Sequence, residues 1–147
     1  MGLVREALPG TRLVLTGGAA PQLGPLPDWV EHRGLVSVEE LRDLYRAASC
    51  LAFPSLYEGF GLPPLEAMAS GCPVATATSG SLPEVCGNAA VLFDPRDVEA
   101  IASAIGEAIA SRERLVPLGL ARARELTWRA CADVHADVYR ELAGKLA

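Results

Sequence analysis

Residues 58–66, Glu-Gly-Phe-Gly-Leu-Pro-Pro-Leu-Glu, constrain the fold of this chain more than any other segment. They follow an apolar run, residues 50–54, that has the length and composition of a buried strand. Two glycines then permit a tight turn, and Pro63 and Pro64 suit the first turn of a helix, where a missing N–H group removes no hydrogen bond. The segment therefore predicts a strand, a turn and a helix start.

A helix start of this kind is an anion site, because its free backbone N–H groups and its dipole favour a negative ligand. Glu58 precedes the turn and is predicted to project into the crevice above the sheet, and Glu66 is predicted to lie in the first helical turn. Carboxylates only accept hydrogen bonds, so both suit a ligand rich in hydroxyl groups. The layout fits a nucleotide sugar, but a helix start is a generic anion site, so the chemistry alone leaves many phosphate ligands open. Taken alone, Glu66 is more often a dipole-stabilising charge, and Glu58 more often a solvated turn residue.

The rest of the chain alternates short apolar runs with amphipathic ones, which is typical of a parallel α/β sheet. We expect a buried strand at residues 11–16 and helices that begin after Ser37 and after Asp97. Pro117 is expected to start or kink a helix rather than lie within one. The last helix, residues 127–142, is expected to turn one apolar stripe toward the core. Further strands are predicted at residues 30–35, 50–53, 73–77 and 90–93, and a further helix at 63–69.

The wider segment 54–94, which includes Glu58 and Glu66, resembles the C-terminal, donor-binding domain of the retaining glycosyltransferases of family 4, a group with the GT-B fold. The two glutamates match that family's E-x7-E motif. The resemblance covers nearly the whole chain, from Gly10 to the terminal helices. It implies a Rossmann-like parallel sheet with helices on both faces and a hexosyltransferase activity that uses a nucleotide-diphosphate sugar.

The resemblance also implies a role for each matching position. Glu58 corresponds to the catalytic-site carboxylate that contacts hydroxyls of the transferred sugar, and Glu66 to the one that holds the ribose. The other donor-binding positions correspond to backbone contacts. Phe60, Gly61 and Leu62 match the residues that contact the sugar and the diphosphate, and Leu35 and Val36 match those that contact the nucleobase. Gly17 and Gly18 match the loop after the first strand. Gly80 and Ser81, after a later strand, are predicted either to line the sugar pocket or to form an ordinary loop.

The sequence departs from that family in length and in charge. Its 147 residues suggest a single incomplete domain, 1–147, that lacks the acceptor domain and the first strand of the sheet. The Arg and Lys that neutralise the donor diphosphate are expected to be absent, because Arg5 and Arg12 do not occupy the matching positions. Donor affinity is therefore expected to be weak, and the open sheet edge is expected to favour pairing with another chain.

Composition limits the remaining possibilities. A net charge of −5 argues against a nucleic-acid partner, and no apolar run is long enough to predict a transmembrane segment or a signal peptide. Cys50, Cys72, Cys86 and Cys131 form no metal-binding spacing, so no metal or other cofactor is expected, and a reduced, cytoplasmic protein is the simplest prediction.

Three functions follow from these patterns. The first is a hexosyltransferase donor domain, which we expect to be inactive on its own. The second is a nucleotide-sugar-binding module without turnover, and the third is an assembly subunit or homo-oligomer that binds no ligand. The sequence does not choose among UDP-, GDP- and ADP-sugars or identify the acceptor.

Overall fold

The computed structural model of the chain describes residues 1–18 and 24–145. Its strands are β1 (Leu13–Leu15), β2 (Val30–His32), β3 (Leu51–Phe53), β4 (Val74–Ala77) and β5 (Val91–Phe93). Its helices are α1 (Gly2–Ala7), α2 (Val38–Ala47), α3 (Leu62–Ala69), α4 (Leu82–Cys86), α5 (Val98–Ala110), α6 (Arg112–Glu125) and α7 (Trp128–Lys145), with a short 3-10 helix at Gly87–Ala89. The prolines and glycine within residues 19–29 predict a loop there, and residues 19–23 of it lie outside the described residues.

All strand pairs are parallel, but they form two ladders rather than one sheet. Strand β1 pairs with β2, with Leu13 opposite Val30. The second ladder has the order β3–β4–β5, with Leu51 opposite Val74 and Ala75 opposite Val91. Within the described residues no strand pairing joins the two ladders. The arrangement confirms the predicted parallel α/β fold.

Strand β4 is the centre of the core, because it is fully buried along its length. Ala75 and Ala77 face one apolar cluster, which is built mainly from α1, α5 and β5. Val74 faces a second cluster, built from α2, α3 and the 3-10 helix. Helices therefore cover both faces of the three-stranded ladder, as short apolar parallel strands require.

Local sequence signals set most helix ends where they were predicted. The Ser37 hydroxyl accepts a hydrogen bond from the backbone of Glu40 at 3.1 Å, and Asp97 accepts one from Ala100 at 2.9 Å. The Glu40 carboxylate, which a capping box would turn back to the helix start, pairs instead with Arg33 at 3.3 Å. Each cap satisfies a backbone donor that the helix itself leaves free.

The predictions for the first strand and for Pro117 were wrong. The strand at residues 11–16 was expected to be buried, but β1 is short and partly exposed, and none of its residues belongs to either apolar cluster. Pro117 lies inside α6 rather than at its start. The helix continues because Pro117 is exposed, so water can satisfy the carbonyl group that loses its donor, while Leu115 and Gly119 are buried.

Helix α7 departs furthest from the expected pattern. Its predicted core-facing stripe was residues Trp128, Cys131, Val134, Val138 and Leu142, but no residue of the helix is buried. Trp128 keeps 79% of its surface exposed. Helical spacing correctly predicted the helix, but it does not say whether another element covers the apolar stripe.

Candidate functional site

The turn between β3 and α3 has the geometry that the sequence predicted. Gly61 caps the helix with φ +100°, a left-handed conformation that side chains rarely adopt. A Cβ atom at this position would lie 2.7 Å from Leu82 Cδ2, so the close packing also requires glycine. Leu62, Pro63 and Pro64 follow as the first helical residues, which leaves the Leu62 N–H group at the helix start.

The two glutamates stand on either side of this helix start. Glu58 is half-buried in the loop, and Glu66 is exposed on α3. The helix begins at Leu62, so Glu66 lies at the beginning of the second turn rather than in the first turn. Because the dipole effect falls off within the first turn, stabilisation of the helix alone explains Glu66 less well than the sequence suggested.

A cavity of about 790 Å³ adjoins this helix. One wall includes Phe60, Leu62 and Glu66, three of the predicted donor-binding residues, and the opposite wall comes from the end of α6 and from α7. The described lining residues are mostly apolar and include no lysine or arginine. The cavity therefore offers a carboxylate acceptor and aromatic surfaces, but no cation for a diphosphate.

Helix α7 contributes residues to this cavity that the sequence analysis did not assign to the site. Trp128, Cys131 and His135 line it, and His135 Nδ1 lies 2.8 Å from the Cys131 carbonyl oxygen. Their spacing of three and four residues places them on one helix face, so the pattern was visible in the sequence. It was interpreted as core packing because nothing local distinguishes a core face from a cavity wall.

Tyr45, on α2, is a buried residue close to Glu66. Burial raises the pKa of Tyr45 to about 12, and the negative charge of Glu66 adds to the effect. The tyrosine packs in the cluster that contains Ala67 and Met68, which flank the exposed face of α3. The position of Glu66 is therefore set by the packing of α2 against α3.

The remaining predicted donor-binding residues form a second group. The Gly17 N–H group donates to the Gly34 carbonyl oxygen at 2.8 Å, which brings Gly17 and Gly18 beside the segment of Leu35 and Val36. Leu35 is 86% exposed. This group lies at the ends of β1 and β2, and it does not line the cavity beside Glu66. Glu58 and Gly61 are not part of the cavity lining either.

Arg5 and Arg12 are engaged elsewhere. The Arg5 guanidinium lies over the Trp29 ring at 5.0 Å and donates to the Thr11 carbonyl oxygen at 2.9 Å. Arg12 pairs with Glu31 at 3.7 Å. Within residues 1–18 and 24–145, no cluster of three metal-ligating side chains occurs and no helix is long and apolar enough to cross a membrane.

Comparison with known proteins agrees with this geometry. The sequence profile of the family described as "Glycosyl transferases group 1" matches residues 1–111. The chain belongs to this glycosyltransferase family. It is 41% identical over 122 residues to O-antigen chain mannosyltransferase B of Escherichia coli, and 37% identical over 129 residues to the MMP alpha-(1->4)-mannosyltransferase of Mycolicibacterium hassiacum.

These matches cover 81% and 83% of the chain but only 32% and 31% of the two relatives. The chain thus spans about a third of the length of these curated relatives. Among solved structures, sucrose-phosphate synthase from Thermosynechococcus elongatus superposes with a TM-score of 0.81 and 31% identity, covering 97% of this chain and 41% of that one. The GT-B type of Rossmann-like fold is therefore established for this glycosyltransferase chain.

Proposed function

We propose that this chain forms the donor site of a hexosyltransferase that transfers a sugar, with retention, from a nucleotide-diphosphate sugar. The observation that carries the proposal is the start of α3, which lies between Glu58 and Glu66. Free N–H groups at a helix start suit a phosphate, and the two carboxylates suit sugar hydroxyls.

In this proposal each residue has one task. Glu66 accepts hydrogen bonds from the ribose hydroxyls, and Glu58 does so from the hexose. The backbone at Phe60, Gly61 and Leu62 faces the sugar and the diphosphate, and stabilises the charge that develops on the leaving phosphate. The segment at Leu35 and Val36, with the glycine loop beside it, contacts the nucleobase. No metal is assigned a role.

A second candidate is a nucleotide-sugar-binding module that does not turn over. It is supported by the cavity beside Glu66, whose described lining residues include no cation to neutralise a leaving diphosphate. For this reason we expect the purified chain to bind donor weakly and to show no transfer. Measurable transfer by the chain alone would contradict the binding module.

The decisive experiment is calorimetric titration of the purified chain with UDP, GDP and ADP. We expect one nucleotide to bind, and Glu66→Ala to weaken its binding about ten- to a hundredfold, because a charge-assisted hydrogen bond contributes about 1.5–3 kcal/mol. Glu125→Ala is the matched control, since Glu125 lines the same cavity but pairs with Arg122 at 2.8 Å. Equal losses in the two variants would mean a general charge effect, and no binding at millimolar nucleotide would refute the donor site.

A further inference from the structure

The loop between β4 and α4 runs beside the loop that carries Glu58. Strands β3 and β4 are parallel neighbours, so the two loops leave the ladder at the same edge. The Ser79 hydroxyl donates to the Ser55 carbonyl oxygen at 2.5 Å, and the Ser81 hydroxyl donates to that of Phe60 at 2.7 Å. Ser81 Oγ also lies 3.4 Å from the Glu58 carbonyl oxygen. The two loops are thus joined by side-chain hydrogen bonds on both sides of Glu58.

Gly80 brings the backbones of the two loops into contact between these bonds. A Cβ atom at position 80 would lie 3.2 Å from the Glu58 backbone nitrogen and would collide with its carbonyl oxygen. Leu82 follows, fully buried in the cluster of α1 and α5, and packs against Gly61. The loop after β4 is therefore anchored in the core at the end that touches the start of α3.

The Glu58 loop has little such anchorage of its own. Leu56 and Tyr57 are 65% and 84% exposed, and Phe60 is 45% exposed. A loop with few buried apolar contacts moves easily unless hydrogen bonds restrain it. The restraint on Glu58 accordingly comes from Ser79, Gly80 and Ser81.

We propose that Ser81 is a positioning residue that holds the Glu58 loop where the carboxylate meets the hexose of the donor. The inference rests on the proposed function, because it assigns the hexose to Glu58. A hydrogen bond from a sugar hydroxyl requires an oxygen within about 2.5–3.0 Å, so a loosened loop loses this contact first. Glu66 lies on α3 beside Tyr45, and Leu62 follows Gly61, which also packs against Leu82, so both positions have restraints besides the Ser81 hydroxyl.

The test separates the hexose contact from the nucleotide contact. The dissociation constants of UDP, UDP-glucose, GDP and GDP-mannose are measured for the unaltered chain and for Ser81→Ala. The ratio of the dissociation constant of the nucleotide to that of the nucleotide sugar gives the contribution of the hexose to binding. We expect Ser81→Ala to lower that ratio about two- to tenfold, the range of one hydrogen bond, and to change the nucleotide constant by a smaller factor. Ser81→Thr, which keeps a hydroxyl, should restore the ratio, and Ser103→Ala on the exposed side of α5 is the control.

The outcomes are distinguishable. An unchanged ratio in Ser81→Ala overturns the inference, and so does an equal loss of affinity for nucleotide and nucleotide sugar together with a lowered melting temperature, which marks a merely structural hydroxyl. If the unaltered chain binds nucleotide in a way that depends on Glu66 but binds the nucleotide sugar no more tightly, the inference about Ser81 fails. The proposed role of Glu66 in binding the ribose is then still supported. If the unaltered chain binds none of the four compounds and does not bind ADP, the proposed function fails first.

Discussion

Gly80 is exposed, yet we expect its replacement to lower the stability of the fold strongly. Its φ of +57° disfavours any side chain, and its Cα faces the Glu58 backbone without room for a methyl group. We expect Gly80→Ala to lower the free energy of unfolding by about 2–4 kcal/mol, of which about 1–2 kcal/mol reflects the left-handed backbone and the rest the collision. Urea denaturation followed by circular dichroism measures the change.

Gly24 separates the two causes. Its φ of +59° is nearly the same, but no atom of residues 1–18 and 24–145 lies within 4 Å of a Cβ placed there. Gly24→Ala should therefore show the backbone cost alone. If both variants lose the same free energy, the two loops do not pack as closely as the structure indicates.

Helix caps should differ in importance according to what each helix buries. Asp97 caps α5, which has three buried residues, Ala104, Ile105 and Ala108. Thr127 accepts a hydrogen bond from the Ala130 N–H group at the start of α7, and no residue of α7 is buried. We expect Asp97→Ala to lower the free energy of unfolding by about 1 kcal/mol. Thr127→Ala should leave it nearly unchanged, because α7 can unfold locally while the rest stays folded.

Hydrogen exchange gives the second measurement for this pair. The amides of α7 should exchange much faster than those of α5, and Thr127→Ala should accelerate α7 alone. Equal destabilisation by the two cap variants, or slow exchange throughout α7, would mean that α7 is packed more firmly than its exposure implies.

At the scale of the whole molecule, the elements that were predicted correctly are those with local signals. Pro63 and Asp97 mark helix starts through their own backbone or side-chain chemistry, and an uninterrupted apolar run marks β4. The predictions that failed depend on distant neighbours. The burial of β1 and that of the α7 stripe both depend on whether another element covers them.

The candidate site divides in the same way. The sequence predicted the turn that carries Glu58, Gly61 and Glu66, because that turn is local. It did not reveal that Trp128 and His135 share a cavity with Glu66, since that depends on how α7 leaves α6. The contacts from Ser79 and Ser81 were also out of reach, because they join segments more than twenty residues apart.

The ionisable groups in the core predict how the whole fold responds to alkali. Burial raises the pKa of Cys50 to about 12 from 9.0, and burial likewise raises the pKa values of Cys72 and Cys86 to about 11. Each raised pKa means that the folded state holds its proton more tightly than the unfolded state. The stabilisation is therefore complete below about pH 9 and is lost as the pH rises through the folded-state values toward 12.

We accordingly expect the urea midpoint to be constant near neutral pH and to fall steeply above about pH 9. Cys50→Ala should reduce the steepness, because it removes the thiol with the highest of the three pKa values. Cys131→Ser is the control: Cys131 is exposed on α7, so its removal should leave the pH profile unchanged. A midpoint that stays constant into strong alkali, or a Cys50→Ala profile identical to that of the unaltered chain, would show that the buried thiols do not govern alkaline unfolding.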